Sequence, residues 1–327
     1  MDTVALILAA GEGTRMKSKK PKVAHELLGK PLVRWAVDAA KEAGATQVVT
    51  VLGHGRDRIM PLVADTTIAI QEHQLGTGHA VMCAQPALRG YQGSLVVMSG
   101  DSPLIRAETI RSLADFRAAN DAAAVVLTMT PPNNFGYGRI LRDPATNELL
   151  GIVEQKDCTP QQREIRECNS GIYCFDLQLL LGQLDKLSTN NAQGEYYLTD
   201  VIAICREQGF KTLALPVDDY TEALGVNSRI QLAQASAIMQ ERINAAHMAA
   251  GVTMLDPKLV WIEPGVQIGR DTTILPMTFL QGKTTVGEDC TIGPNTQLLD
   301  CSVADGIEVA WTVAENEELT QDYLAQG

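Results

Sequence analysis

The alternation of short β-branched runs with amphipathic stretches, over roughly the first 225 residues, constrains the fold more than any other feature of this chain. Strands that alternate with helices form a parallel sheet whose two faces the helices cover. We therefore expect an α/β fold, Rossmann-like, with a mixed and mainly parallel sheet. The pattern predicts strands at residues 4–8, 47–52, 67–70, 95–98, 124–129, 152–154, 172–175 and 212–217.

The pattern changes in the last hundred residues. Helical spacing over residues 229–250 follows Ser228, a favourable N-cap, and stops at Gly251. Beyond it, aliphatic-glycine pairs recur, and the 18 residues from Gly269 to Gly287 equal three hexapeptides, the length of one coil of a left-handed parallel β-helix. We expect a catalytic-type domain at 1–227, a connecting helix at 228–251, and about two coils followed by an acidic, irregular tail within 252–327.

Composition excludes several classes of protein. The net charge of −12 argues against a nucleic-acid partner, because a phosphate backbone attracts a basic surface. Seven cysteines without a C-x-x-C pair predict neither a disulfide framework nor a zinc site. The sequence contains no run of 18 apolar residues, so it predicts no membrane span. The apolar run at residues 4–10 is too short for a signal peptide. A cytoplasmic protein is expected.

A glycine-rich turn follows the first predicted strand, where VALIL runs into AAGEGTRM. Gly11 and Gly13 lack the Cβ that would keep a triphosphate away from the backbone, so successive N–H groups can line an anion cradle. Arg15 and Lys22 supply mobile cations. A dinucleotide fingerprint needs a third glycine where Met16 stands, and a plain strand-ending turn is the other alternative. The combination favours phosphate binding.

Two further segments carry candidate ligand groups. Gln71, in IAIQEHQLGTGHA, offers an amide donor and acceptor to the edge of a pyrimidine, and Gly76 and Thr77 allow close approach of the backbone. A polar loop that enters a helix is the alternative interpretation, and His79 is typical of a packed helix residue. Asp101 follows an apolar strand in VVMSGDSPL, a position that suits a Mg²⁺ ligand or a helix N-cap.

The string LAAGEGTRMKSKKPK resembles the signature of the sugar-nucleotide pyrophosphorylases. Within that family it is most similar to the N-terminal uridylyltransferase domain of the bacterial bifunctional enzyme that makes UDP-N-acetylglucosamine. The resemblance implies that UTP and N-acetylglucosamine 1-phosphate are the substrates, that Mg²⁺ is the cofactor, and that Arg15 and Lys22 are catalytic. It assigns nucleotide binding to Leu8, Ala9, Ala10, Gly11, Gly13, Gln71, Gly76 and Thr77.

Four more strings extend the resemblance: FGYGRI, IVEQKD, ECNSGIY and NNAQGEYYLTD. Carboxylate, amide and hydroxyl groups are natural partners for sugar hydroxyls. The resemblance also makes Asn227, in ALGVNSR, the second metal ligand beside Asp101, although from the sequence alone Asn227 is equally well a helix cap. It assigns the sugar phosphate to Gly138, Glu154, Asn169, Tyr197 and Thr199.

Other functions remain open from the sequence. A pyrophosphorylase that uses glucose 1-phosphate or dTTP is the nearest alternative, followed by a non-catalytic regulatory subunit with a similar domain, and a dehydrogenase comes last. Full-length relatives trimerise through a longer β-helix that carries an acetyltransferase site. With about two coils expected here, we predict no acetyl transfer, and a homo-oligomer would lack the coils on which that trimer relies.

Overall fold

The computed structural model describes residues 2–324. Within them the chain divides into two compact units. The first comprises the residues up to His25 together with Pro31–Gln231, and the second comprises Glu26–Lys30 together with the residues from Leu232 onward. The domain boundary expected after Asn227 stays a prediction. Residues 325–327, the last of the expected acidic tail, lie outside the described residues.

Strands and helices alternate along much of the first 231 residues, as the hydrophobic pattern predicts. The strands are β1 (Thr3–Ala9), β2 (Glu26–Leu27), β3 (Lys30–Pro31), β4 (Gln47–Leu52), β5 (Thr67–Ile70), β6 (Ser94–Ser99), β7 (Ala124–Met129), β8 (Arg139–Arg142), β9 (Leu149–Val153), β10 (Cys168–Asp176) and β11 (Thr212–Pro216). Strands β2 and β3 are consecutive, however, as are β7, β8 and β9. The α-helices are α1 (Leu32–Glu42), α2 (Arg56–Ile59), α3 (Thr77–Leu88), α4 (Ala107–Ala119), α5 (Pro160–Arg163), α6 (Leu177–Leu181), α7 (Asp200–Glu207) and α8 (Arg229–Ala249). Short 3₁₀ turns lie at Thr14–Met16, Lys22–Ala24, Met60–Val63, Leu184–Lys186, Tyr220–Ala223 and Pro257–Leu259. No helix in residues 2–324 combines the length and apolarity needed to cross a membrane.

The first unit is built on a nine-stranded mixed sheet with the order β11-β7-β10-β6-β1-β4-β5, to which β8 and β9 attach beside β10. Strand β1 runs parallel to β4 and β6, while β10 runs antiparallel to β6 and β7. Alternate residues of β1 enter two separate apolar clusters, with Leu6 in one and Ile7 in the other. The sheet therefore has a core on each face, and the predicted fold class is confirmed.

The pattern located three strands to the residue, at 47–52, 67–70 and 124–129. It misplaced the strand expected at 152–154, which ends at Val153. It also missed β8, which forms an antiparallel hairpin with β9. The sequence of β8, RILR, begins and ends with arginine. Arg139 is nevertheless almost fully buried, because Gln155 and backbone carbonyl groups accept its hydrogen bonds.

The carboxyl ends of β1, β4, β5 and β6 meet at one edge of the sheet. The register pairs Leu8 with both Val51 and Ser99, and it pairs Leu52 with Ile70. Ligands of open α/β sheets bind outside this edge. The sequence predicts the nucleotide and metal sites in the segments at the ends of β1, β5 and β6.

Short parallel strands of the second unit form three sheets, with the orders β12-β15-β18-β21-β24, β13-β16-β19-β22 and β14-β17-β20-β23. Thr273 pairs with Thr291, and the separation of 18 residues confirms the predicted length of a coil. This arrangement is the predicted parallel β-helix of the left-handed class. Its strands are Thr253–Met254, Val260–Ile262, Gln267–Ile268, Thr273–Ile274, Thr278–Gln281, Thr285–Val286, Thr291–Ile292, Thr296–Leu299, Ser302–Val303, Glu308–Ala310, Val313–Glu315, Glu318–Leu319 and Tyr323–Leu324, numbered β12–β24.

The expectation of about two coils and an irregular acidic tail is wrong. Four successive sets of three strands lie within the described residues, and β24 begins a fifth. The segment read as an irregular tail contains β23, and there Leu319 is fully buried while Glu318 is exposed. Coils after Gly293 no longer carry an aliphatic-glycine pair, although the inward positions remain apolar, as at Val309 and Ala314. The acidic residues therefore cover the outside of a coil rather than end it.

Two amide side chains of α8 donate hydrogen bonds to backbone carbonyl groups of the first coil of the β-helix. Asn244 is fully buried, and its Nδ2 donates to the carbonyl oxygens of Pro257 at 2.8 Å and Val260 at 2.9 Å. Gln240 donates to the same Val260 carbonyl. Buried carbonyl groups at the first coil have no preceding strand to pair with, so side-chain donors satisfy them.

Candidate active site

The glycine-rich turn after β1 is shaped by its contact with Lys22. Gly13 has φ +67°, in the left-handed region, and a Cβ at this position would lie 2.3 Å from Lys22 Cβ. Gly11 differs, because a Cβ there would meet no protein atom within 4 Å. Gly13 thus allows Lys22 to pack against the turn, a reason for glycine that the sequence did not reveal, while the space beside Gly11 is open.

Lys22, Asp101 and Asn227 form one cluster, although 79 and 205 residues separate Lys22 from its two partners. The Lys22 ammonium forms an ion pair with Asp101 Oδ2 and donates to Asn227 Oδ1 at 2.9 Å. The side chains of Lys22 and Asp101 are 15% and 6% exposed. A backbone hydrogen bond links the segments that carry Asp101 and Asn227, since Val226 N donates to the Asp101 carbonyl oxygen at 2.8 Å. The structure therefore joins three predicted site residues.

The same cluster fits a divalent cation. One oxygen of Asp101 and one of Asn227 converge on a single positively charged group, the Lys22 ammonium. Mg²⁺ prefers one or two protein oxygens and takes its other ligands from water and substrate phosphates. No group of three or more His, Cys, Asp or Glu side chains suited to a metal occurs among residues 2–324. A site completed by a bound triphosphate matches this donor set.

Arg15 lies apart from the cluster. Its side chain is exposed in the 3₁₀ turn Thr14–Met16 that follows Gly13. Within the described part of the chain it forms no hydrogen bond or ion pair. The structure therefore places Arg15 on the glycine-rich turn, where it is exposed, but not against Lys22.

The predicted base-binding segment is held at the end of β5. Gln71 is 3% exposed, and its Nε2 lies 3.0 Å from the Gly76 carbonyl oxygen and 3.1 Å from His79 Nδ1. Gly76 has φ +107°, and a Cβ there would lie 2.5 Å from the Tyr196 carbonyl oxygen. Thr77 Oγ1 accepts from Leu198 N at 3.1 Å. This segment therefore packs directly on the QGEYYLTD string that the sequence assigns to the sugar phosphate.

Three predicted sugar-binding residues meet at β8, β9 and β10. A Cβ on Gly138 would lie 3.4 Å from Asn169 Cβ and 3.5 Å from Glu154 Oε2. Thr199 Oγ1 donates to Glu154 Oε1 at 3.5 Å. Burial raises the pKa of the Glu154 carboxyl, and the nearby charges of Asp157 and Asp200 raise it further. A desolvated carboxylate beside a glycine is a strong acceptor for a sugar hydroxyl.

Asn169 and Tyr197 are oriented by neighbours. Asn169 Nδ2 donates to the Tyr173 hydroxyl at 2.7 Å, and Asn169 Oδ1 accepts from Gly171 N at 3.0 Å. The Tyr197 hydroxyl accepts from Gln193 Nε2 at 2.9 Å. Both side chains are less than a tenth exposed. Their rotamers are thus fixed before any ligand binds.

The structure adds residues that the sequence did not single out. A Cβ on Gly225 would lie 3.4 Å from Asn227 Nδ2 and 3.7 Å from Asp101 Oδ1, so Gly225 borders the cation cluster. Burial raises the pKa of the Tyr137 phenol, and the Asp101 carboxylate adds to the rise. His79 contacts Gln71 directly. The GVN turn was the one available signal for Gly225, and the sequence assigned no site role to Tyr137 or His79, whose positions the folded chain reveals.

Comparisons with known proteins show what the chain is similar to. The family described as the MobA-like NTP transferase domain matches residues 5–156. A bifunctional protein GlmU from a Geobacillus strain is 47% identical over 319 residues, which cover 97% of this chain and 69% of the relative. A GlmU from Caldanaerobacter subterraneus is 45% identical over 95% of this chain and 68% of its own length. A GlmU from Mycobacterium bovis is 48% identical over 95% of this chain and 64% of its own length.

Proposed function

This chain belongs to the family of the bifunctional GlmU proteins, and from that membership and its site geometry we propose that it transfers a uridylyl group from UTP to N-acetylglucosamine 1-phosphate. The products are UDP-N-acetylglucosamine and pyrophosphate. The coarser activity, nucleotidyl transfer, follows from the NTP transferase domain at residues 5–156. The observation that carries the finer proposal is the cluster of Lys22, Asp101 and Asn227 at the carboxyl edge of the sheet.

The nucleotide site comprises the phosphate turn and the base segment. Residues 8–11 and Gly13 offer backbone N–H groups to the triphosphate, beside the open space at Gly11. Gln71, Gly76 and Thr77 bind the uracil edge. These segments follow β1 and β5, and the register brings the ends of both strands to one edge of the sheet.

The sugar phosphate site comprises Gly138, Glu154, Asn169, Tyr197 and Thr199. In support, Gly138 lies beside both Asn169 and Glu154, and Thr199 hydrogen-bonds to Glu154. The Glu154 carboxylate accepts from a sugar hydroxyl, and the amide of Asn169 supplies a second polar contact. Tyr197 and Thr199 lie on the segment that packs against Gly76, which brings the sugar site next to the nucleotide site.

The reaction is an in-line displacement without a protein nucleophile. An ionised oxygen of the sugar 1-phosphate forms a bond to the α-phosphorus of UTP, and the bond from that phosphorus to the bridging oxygen of pyrophosphate breaks. The protein positions two anions and neutralises their charge. Lys22 stabilises the crowded transition state, and Arg15, exposed on the turn, binds the leaving pyrophosphate.

Asp101 and Asn227 would hold Mg²⁺. When bound there, the ion supplies Lewis-acid polarisation and charge neutralisation at the phosphates. In support, Asp101 Oδ2 and Asn227 Oδ1 both contact one cationic group, the Lys22 ammonium.

Pyrophosphate release tests the proposal. Each of the four common nucleoside triphosphates, together with dTTP, is assayed against N-acetylglucosamine 1-phosphate and glucose 1-phosphate, with and without Mg²⁺. We expect UTP with N-acetylglucosamine 1-phosphate to give the highest kcat/KM. A higher value for dTTP or for glucose 1-phosphate would overturn the assigned substrates, and no pyrophosphate with any pair would overturn the transferase activity.

The remaining expectations stay predictions. The predicted absence of acetyl transfer from acetyl-CoA to glucosamine 1-phosphate is tested by assay of the same preparation. A homo-oligomer and a cytoplasmic location are likewise untested by the fold. Sedimentation of the purified chain decides the first of these.

A further inference from the structure

His79 contacts the side chain that we assign to the base, although the sequence suggested only a packed helix residue. It lies in the first turn of α3, and its Nδ1 is 3.1 Å from Gln71 Nε2. Its ring stacks on Tyr196 with centroids 6.3 Å apart and planes inclined by 28°. Cys83 Sγ lies 3.8 Å from its Nε2. The imidazole is thus held between a tyrosine ring and the Gln71 amide.

The hydrogen bonds of Gln71 define which end of its amide is bonded within the protein. The Gly76 carbonyl oxygen can only accept, so the nitrogen of the Gln71 amide must face it. The second N–H of that nitrogen lies beside His79 Nδ1, which pairs with it as the acceptor. Both donors of the amide are therefore used within the protein.

The free group of Gln71 is consequently an acceptor. Among residues 2–324, no group donates a hydrogen bond to Gln71 Oε1. A ligand that pairs with this oxygen must supply a hydrogen. Uracil carries one on ring nitrogen N3, whereas cytosine has a bare acceptor at the same position.

We propose that His79 is a positioning residue that fixes the Gln71 amide with its oxygen outward and thereby selects an imide base such as uracil over cytosine. This inference rests on the proposed function and assigns it a further specificity residue. His79 acts through Gln71 and does not touch the substrate. Without an acceptor at Nδ1, one N–H of Gln71 loses its partner, and the amide is free to rotate or flip.

Two substitutions separate this role from simple packing. His79→Phe keeps a ring against Tyr196 but removes the acceptor, whereas His79→Asn places a carbonyl oxygen near the position of Nδ1 but loses the ring. If His79 fixes the amide, His79→Phe raises the KM for UTP about three- to tenfold, with kcat within about twofold, and lowers the preference for UTP over CTP. His79→Asn then recovers most of the affinity. If the ring only packs, the order of the two variants is reversed, and the inference fails.

A double-mutant cycle checks that the effect passes through Gln71. Steady-state kinetics with UTP and CTP are measured for Gln71→Ala, His79→Phe and the double variant, and UDP-N-acetylglucosamine binding is measured by calorimetry. We expect His79→Phe to add less than about twofold once Gln71 is alanine. Full additivity would overturn the inference. If His79→Phe does not fold, by circular dichroism, His79→Ala takes its place in the same cycle.

The outcomes also distinguish this inference from the proposed function. If the unmodified chain does not prefer UTP, the proposed function fails and the inference fails with it. If the unmodified chain prefers UTP and the ring variant keeps the same KM and the same preference over CTP, only the role of His79 is refuted.

Discussion

Substitution of Gly13 by alanine is expected to disable the enzyme by displacing Lys22. A Cβ at Gly13 would lie 2.3 Å from Lys22 Cβ, whereas carbon atoms need about 3.5 Å or more. The stem of Lys22 must therefore move by about 1 Å. The left-handed φ of +67° at Gly13 adds about 1–2 kcal/mol of backbone strain for a non-glycine residue.

A displacement of this size breaks the contacts of the Lys22 ammonium. Its Nζ lies 2.9 Å from Asn227 Oδ1, and a donor–acceptor distance of about 3.6 Å no longer counts as a hydrogen bond. A misplacement of about 1 Å in a catalytic group can cost on the order of 10² in rate. We expect kcat for pyrophosphate release to fall about 10²-fold in Gly13→Ala, close to the loss of about 10²–10³ for Lys22→Ala.

Gly209→Ala is the matched control. Gly209 also has a left-handed φ, +81°, but a Cβ there meets no atom within 4 Å. This variant carries the backbone strain without the steric contact, so it should lose about 1 kcal/mol of stability and keep its activity. Thermal unfolding followed by circular dichroism, together with the pyrophosphate assay, measures both quantities.

A double variant tests the same link in a second way. If Gly13→Ala acts through Lys22, the double variant Gly13→Ala/Lys22→Ala is no slower than Lys22→Ala alone, within about threefold. Activity of Gly13→Ala that matches the Gly209→Ala control, or a double variant whose loss equals the product of the single losses, refutes the link between the glycine turn and the lysine.

Three further substitutions test other parts of the chain. Asn227→Ala removes one of two converging oxygens and should raise the Mg²⁺ concentration for half-maximal turnover about tenfold, and an unchanged Mg²⁺ titration would exclude the ligand role. Glu154→Gln should raise the KM for the sugar phosphate about tenfold. Burial raises the pKa of Glu154, so at pH 8 the folded protein contains an ionised carboxylate that burial destabilises. Glu154→Gln removes this charge and should raise Tm by roughly 1–3 °C at pH 8, and the gain should disappear as pH falls through the raised pKa. A pH-independent difference in Tm would contradict the assignment. Asn244→Ala removes the two short hydrogen bonds to the buried carbonyl groups of Pro257 and Val260 and leaves Gln240 as their side-chain donor. The change should cost about 1–2 kcal/mol in urea unfolding, and a cost below about 0.5 kcal/mol would count against a role for Asn244 in holding the first coil.

Strand positions were predictable because the hydrophobic period is a local property. The strands at residues 47–52 and 67–70 agree with the structure to the residue, since their apolar residues are buried and turn residues bound them. The hydrophobic pattern missed β8 because Arg139, a polar residue, is buried there. Hydrogen bonds to Gln155 and to backbone carbonyl groups offset the cost of burying its side chain. The number of coils was underestimated because acidic residues surround Leu319 in the sequence, although its side chain is buried inside a coil.

The sequence by itself determined the glycine turn after the first strand and the carboxylate at the end of β6, because both are set by neighbours in the chain. Only the tertiary structure decided that Lys22 reaches Asp101 and Asn227, across 79 and 205 residues. It also decided that Gly13 makes room for the side chain of Lys22, and that the His79 ring lies against the Gln71 amide. The reason is that backbone preferences act over a few residues, whereas a binding site depends on which strand ends the packed sheet brings to one edge.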